Sequence, residues 1–264
     1  LPSEAAMLGL LPLRNSPSHE TVRWALDFTR VPHMRRSLLP GPHMRVVKHL
    51  TGRTTTPVLV HDGGAIDGSA QIIEWLEGQY PSPALLPTDS AQREEALRIQ
   101  RWFDDDITPR MRRTVLDALL QQPSMFARVF ADGAPTLKRW AYACVVPLAA
   151  ALVRKGNGIT GPQAVQDGHR AAAEAFDFVF QRGAATGYLC GDAFSIADLT
   201  AASTLAVLVR PQNSPMACPQ PVGRGFRALM ERYAEHPGAG WVRHIYARHR
   251  GSHSDFDGPS SARA

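Results

Sequence analysis

Three short segments carry hydroxyl groups at places where backbone amides would otherwise go unpaired. The first, Asn15-Ser16-Pro17-Ser18-His19-Glu20-Thr21-Val22-Arg23-Trp24-Ala25-Leu26, puts a serine where a strand gives way to a helix. Free N–H groups and the positive end of a helix dipole favour an anion there, such as a thiolate, and Ser16 could donate a hydrogen bond to it. The competing reading is that Ser16 only caps the helix. Asn15 could orient the same anion or simply end the strand. The second segment, Thr54-Thr55-Thr56-Pro57-Val58-Leu59-Val60, has a proline at the mouth of a strand. In the cis form it turns the backbone of Thr56 outward to pair with an extended, peptide-like ligand; in the trans form it merely enters an edge strand. The third, Asp67-Gly68-Ser69-Ala70-Gln71-Ile72, again sets a hydroxyl and free amides at a helix start. That is a natural seat for a carboxylate, although capping alone would also account for Ser69. The three follow in order, with about 40 residues between the first two.

The elements that must position these residues follow from apolar spacing. Met7 to Leu13 suits a buried strand, and Ser16-Pro17 then opens a helix with Val22, Ala25, Leu26 and Thr29 at i, i+3, i+4, i+7. Met34 to Leu38 is a weak second strand, its alternation broken by Arg35-Arg36. Thr55 to His61, the turn Asp62-Gly63-Gly64 and Ala65-Ile66 form a hairpin pattern. From Ser69 a helix with Ile72, Ile73, Leu76 and Tyr80 on one face runs to Pro81. The order read from the residues is βαβ, then ββα. Beyond Pro87 the chain is helix and loop. Ile99, Phe103, Ile107, Met111, Val115 and Leu119 recur every four residues, which predicts a long helix bent near Pro109. Further helices are predicted near Leu137–Val153, Gln163–Gln181, Ile196–Val209, Gly223–Ala234 and Gly240–His249. The expected division is an α/β domain over 1–82, a linker over 83–90, a helical domain over 91–250 and a disordered tail over 251–264.

Composition narrows the function classes. With 264 residues, 44% hydrophobic and 20% charged, the chain is ordinary globular protein, one large domain or two modest ones. Cys144, Cys190 and Cys218 are odd in number and scattered, which suggests reduced thiols and a cytoplasmic location. The longest apolar run, Ala141 to Val153, contains Pro147 and falls short of the roughly 20 residues of a membrane span, so no membrane helix is expected. Leu1-Pro2-Ser3-Glu4 lacks the basic start of a secretory signal. The net charge of +5 comes from 29 basic residues, but Arg35-Arg36 and Arg110-Met111-Arg112-Arg113 lack interleaved aromatics, so no nucleic-acid partner is expected. Ten histidines form no convincing ligand pair, and no metal is expected. His19 is expected to be exposed, close to the anion at Ser16.

Residues 16 to 23 read Ser-Pro-x-x-x-x-Val-Arg, and with the segments at Thr56-Pro57 and Ser69 the chain resembles the glutathione S-transferase family, in its serine-type form, over nearly its whole length. A further match is Gly187 to Thr200, similar to the family's buried capping box, with Ser195 and Asp198 at capping-box spacing and Asp replacing the usual Glu. The resemblance implies a thioredoxin-like domain, β-α-β-α-β-β-α, followed by an all-α domain. It implies that Ser16 stabilises the thiolate of glutathione, that Thr56 before cis Pro57 pairs with the cysteinyl unit, and that Ser69 holds the γ-glutamyl carboxylate. Arg53 could meet the glycyl carboxylate. The acid usual before that serine is absent: Gly68 stands there, with Asp67 one residue earlier. Trp102 to Arg113 looks like a segment of some bacterial members, making Trp102, Phe103 and Met111 candidates for the electrophile pocket, with core packing as the alternative reading.

The activity so implied is transfer of glutathione, as cosubstrate, to a small hydrophobic electrophile, by a homodimer with a role in detoxification. A glutathione-dependent isomerase, dehalogenase or ether-cleaving lyase is the alternative, and a non-catalytic binding protein is another, supported by Gly68. Serine rather than cysteine at position 16 favours conjugation over thiol–disulfide exchange.

Overall fold

The apolar run after Met7 forms β1 (Leu8–Leu11) in the computed structural model, which describes residues 7–216, 218–251 and 255–257. Helix α1 (Pro17–Phe28) begins at a proline, whose fixed φ and missing N–H suit a first helical turn, and buries Val22, Trp24, Ala25 and Leu26. β2 (His33–Arg35) lies parallel to β1. β3 (Val58–His61) runs antiparallel to β1 and pairs with β4 (Gly64–Asp67) as the predicted hairpin. Helix α3 (Ser69–Gln79) packs Ile72, Ile73 and Leu76 into the core.

Between β2 and β3 lies α2 (His43–Thr51), which apolar spacing did not reveal. It buries only Val47 and leaves Met44, Val46 and Leu50 exposed; its apolar spacing, Met44, Val47 and Leu50, spans only two turns. With it the order through α3 is β-α-β-α-β-β-α, as the resemblance implies. The sheet order is β4-β3-β1-β2-β5, where β5 (Asp255–Asp257) runs parallel to β2. The expectation of a structureless tail therefore fails at 255–257; the tail's other predicted positions, 252–254 and 258–264, lie outside the described residues.

The second half is helical. α4 (Ser90–Trp102) runs into a π-helical turn at Phe103–Ile107 and on into α5 (Thr108–Leu120). Just before Pro109, where a bend is predicted, the helix widens into this turn, which accommodates a residue that cannot donate to the preceding turn. α6 (Pro123–Ala131), also unanticipated, buries Met125, Phe126, Ala127, Val129 and Ala131. Then follow α7 (Thr136–Gly156), α8 (Pro162–Gly183), α9 (Ile196–Val209), α10 (Arg224–Ala234) and α11 (Pro237–His249).

α9 is the central post, buried continuously from Ile196 to Leu208. Its capping box is present: Asp198 accepts from the Ser195 N–H at 2.9 Å and from the Leu189 N–H at 2.8 Å. One apolar core runs from α1 and α3 into α4, α5, α8, α9 and α11. α5 and α8 cross closely at Gly168, where an added Cβ would come within 2.6 Å of the Arg110 carbonyl oxygen. Beside that crossing Arg110 reaches Asp167 at 3.0 Å and Glu174 at 3.0 Å, and Arg113 reaches Asp167 at 3.1 Å.

α7 corrects the expectation about membrane-length helices. At 21 residues it is long and apolar enough, by length and composition, to cross a membrane. The basic pairs Lys138-Arg139 and Arg154-Lys155 near its ends interrupt the apolar run that the sequence displays. In this fold it packs on α6, is tied to α5 by the Arg154–Asp117 ion pair, and donates from the Tyr142 hydroxyl to the Pro40 carbonyl at 3.1 Å.

Candidate active-site cleft

A cavity of about 590 Å³ lies between the N-terminus of α1, the Thr54–Thr56 segment, and α5 and α7. Ser16 is in its wall at the N-cap position of α1, in extended backbone (φ −87°, ψ 134°), yet its side chain makes no capping bond. The hydroxyl is therefore not used up in holding the helix. Asn15 precedes it in the left-handed region (φ 59°), where Asn is tolerated better than most residues, and its Nδ2 donates to the Val129 carbonyl of α6 at 2.7 Å. That bond fastens the turn carrying Ser16 to the helical half and commits the amide nitrogen. Thr56 also lines the cavity, and the Thr56–Pro57 bond is cis. Pro57 itself stands just behind the wall, its carbonyl accepting from the Gly68 N–H at 2.9 Å.

Ser69 does not cap α3. The N-cap is Gly68, at φ 92°, a backbone conformation that side chains rarely adopt. Ser69 is buried, and its hydroxyl donates to Asp104 Oδ2, from the π turn, at 3.3 Å. Burial pushes the Asp104 carboxyl up to about 6, against the Ser69 hydrogen bond and with some help from Asp105. An acid absent from position 68 in the sequence is thus supplied beside Ser69 by a residue 35 positions further on. Asp67 lies 3.5 Å from the Nε of the exposed Arg53. Ser69, Asp67 and Arg53 are not in the wall of the cavity that holds Ser16.

Of the three pocket candidates, only Met111 lines the cavity. Phe103 is fully buried, and Trp102 stacks edge-on against Phe103 (5.1 Å) and against Phe178 of α8 (4.8 Å). Ile99, Phe103, Ile107, Met111, Val115 and Leu119 all stay in one core across the π turn, so for Phe103 the core-packing reading holds. The wall that α5 presents is instead Thr108, Arg112, Val115, Leu116 and Leu119, spaced i, i+4, i+7, i+8, i+11. Sequence reasoning missed Thr108 and Arg112. The available signal was that both fall on the helical repeat of Leu116 and Leu119.

Thr108 and Thr204 share a hydroxyl hydrogen bond at 3.1 Å, tying α5 to α9 in the cavity wall. Arg210 closes α9 in the left-handed region; its Nη1 donates to the Met216 carbonyl at 2.6 Å and its guanidinium lies over the Phe226 ring at 5.4 Å. His43 accepts from the Gly41 N–H at 3.1 Å, and burial lowers its pKa. His19, expected to be exposed, is buried, and burial, with Arg23 next, holds its pKa well below the usual imidazole value. Its position one turn into a helix suggested solvent, but α1 is enclosed along nearly all its length. Among the described residues no three His, Cys, Asp or Glu side chains converge as a metal site would require.

Residues 10–84 match the family profile described as glutathione S-transferase, N-terminal domain, and residues 142–237 the one described as glutathione S-transferase, C-terminal domain. The chain belongs to the glutathione S-transferase family. Over 109 residues it is 34% identical to a maleylpyruvate isomerase of a Ralstonia species, a match that takes in 40% of this chain and 51% of that protein. The chain thus spans about half the length of that curated relative. Among solved structures, a glutathione S-transferase from Rhodospirillum rubrum superposes with a TM-score of 0.59 at 20% identity, over 92% of this chain and 90% of that one. A glutathione S-transferase from Methylobacillus flagellatus, solved with glutathione bound, gives 0.55 at 15% identity, over 91% and 95%. At these identities the likeness is one of fold.

Proposed function

We propose that this protein binds glutathione across the α/β half, activates its thiol at Ser16, and directs the thiolate at an electrophilic carbon lodged between α5, α7 and α9. The observation that carries the reading is the Ser16 hydroxyl, placed at a helix N-terminus in the cavity wall and free of any capping bond. Family membership and the glutathione-bound relative of the same fold support it.

A hydroxyl donor and the positive end of α1 both stabilise S⁻ over S–H, which lowers the thiol pKa and raises the thiolate fraction near neutral pH. The backbone of Thr56 offers the peptide-like cosubstrate its pairing groups. Ser69 and Asp104 receive the glutamyl end, where Asp104 replaces the acid missing at Gly68 as partner of the ammonium. Apolar walls and fixed placement of both reactants supply the rest, as effective concentration.

A second reading differs only in the fate of the carbon–sulfur bond: in an isomerase the thiolate adds, the adduct rearranges, and the thiolate leaves. The maleylpyruvate isomerase match favours it. In both readings Ser16→Ala lowers turnover by about 10²-fold, the usual effect of removing one donor to a developing anion. Glutathione affinity measured by calorimetry stays within about threefold, because the donor acts mainly on the thiolate. Unchanged turnover with 1-chloro-2,4-dinitrobenzene or any acidic isomerisation substrate would remove Ser16 from the chemistry.

A further inference from the structure

In the run Arg110-Met111-Arg112-Arg113 the outer arginines are spent on α8, where Arg110 is bonded to Asp167 and Glu174 and Arg113 to Asp167. Arg112 points the other way, into the wall of the cavity that holds Ser16. It has no hydrogen bond, ion pair or ring partner among the described residues. It combines two properties found together on the wall of an enclosed space. Its surface is accessible, yet protein is packed around it densely enough that desolvation lowers its pKa from the ordinary arginine value.

Its surroundings do not neutralise it. Among the described residues no Asp or Glu lines the cavity, and the ionisable side chains in the wall are Arg112, Arg210 and His43. Arg210 is already bonded to Met216 and stacked on Phe226, and His43 is bonded to Gly41. One guanidinium is therefore open, in a cleft otherwise walled by Met111, Val115, Leu116, Leu119 and their apolar neighbours. A guanidinium in a largely apolar wall, with no partner from the protein, is open to an anion from solution. The planar fork of arginine matches a carboxylate through two parallel hydrogen bonds.

We propose that the electrophile taken by this cleft is an organic acid, and that Arg112 binds its carboxylate while the apolar walls hold its carbon skeleton with the electrophilic carbon toward Ser16. The expected partner, a small hydrophobic electrophile, becomes an apolar body with an anionic end. The placement of that carbon rests on the function proposed for Ser16; the anion subsite does not.

The test uses 4-chloro-3-nitrobenzoate and its uncharged methyl ester. Glutathione sulfur bonds to the ring carbon bearing chlorine, the carbon–chlorine bond breaks, chloride leaves with the bonding pair, and the thiol proton goes to solvent. Calorimetric titration without thiol comes first. Wild-type protein should bind the acid at least about tenfold more tightly than the ester, the scale of a charge-assisted hydrogen-bond pair. Arg112→Met should abolish that preference and Arg112→Lys should keep part of it, with glutathione affinity within about twofold throughout. In turnover, kcat/KM for the acid relative to the ester, each divided by its uncatalysed rate, should fall by the same factor in Arg112→Met. Equal binding of acid and ester by wild type, equal weakening of both in the variant, or a loss confined to glutathione would each overturn the proposal. Should Arg112→Met fail to fold, the Lys variant alone decides by its acid-to-ester ratio. The titration needs no thiol, so a protein that binds the acid through Arg112 but ignores glutathione would sink the reading of Ser16 and leave the anion subsite standing.

Discussion

At the end of α11, Arg250 is fully enclosed and bonded to Glu20 at 2.7 Å and to Asp27 at 2.7 Å, both on α1; in the cleft, Arg112 meets no acid among the described residues. Tyr246 adds a hydroxyl bond to Glu20, so the first site joins the C-terminal helix to the first one through a buried polar network. The two arginines are chemically the same group in opposite electrostatic circumstances. Where both partners come from the chain, the charge serves the fold. Where the walls are apolar and the charge stands open, the missing partner has to come from solution. Burial differs as well: Arg250 is enclosed, whereas Arg112 keeps an accessible surface in the cleft wall.

The largest expected effect comes from breaking the buried site. Arg250→Met should destabilise the protein by about 3–5 kcal/mol, because Glu20 and Asp27 remain buried without their counter-charge. Burial already raises the Glu20 pKa, with Arg250 as the main group opposing that shift. In urea unfolding, Arg250→Met should lose most of the stability margin, whereas Arg112→Met should change it by less than about 1 kcal/mol, as no protein bond is lost there. Equal losses would erase the distinction between the two sites.

A smaller effect sharpens the comparison from the acidic side. The folded pKa of Asp104, about 6, is above its unfolded value. The stability tied to it is thus fully present below the unfolded pKa of about 4 and is lost as pH rises through 6. Asp104→Asn should flatten that part of the pH–stability curve. Glutathione affinity should move in the opposite sense, strengthening through the same window as the carboxylate ionises to meet the ammonium, and the variant should lack this rise. A wild-type affinity that does not change across the window would remove Asp104 from the glutathione site.

Much of this organisation is legible in the residues. β1, β3, β4, α1 and α3 declare themselves through apolar period and start signals, and α9 through the capping-box spacing of Ser195 and Asp198, whereas β2 is weak and β5 is not announced. What is illegible has physical reasons. α2 carries one buried side chain, α7 hides its length behind terminal basic pairs, and the likeness to bacterial members that offered Trp102 and Phe103 for the pocket does not tell that Phe178 of α8 packs against both. Ser16, Asn15 and Thr56, singled out at element ends, share one cavity wall because local chain geometry puts them there. Asp104 beside Ser69 could not, because that pairing exists only once the helical half docks on the α/β half. Arg112 lay in plain view among three arginines, and only the positions of Asp167 and Glu174 show which of them are taken.

The central claim is that Ser16 activates a bound thiol, and its most direct test is the pH titration of thiolate ultraviolet absorbance in the glutathione complex, for wild type and Ser16→Ala. The wild-type midpoint should fall well below the about 8.5 of an unperturbed thiol, and return toward that value in the variant. A bound thiol that titrates at its ordinary pKa in wild type, or at the same depressed value in both proteins, would contradict it.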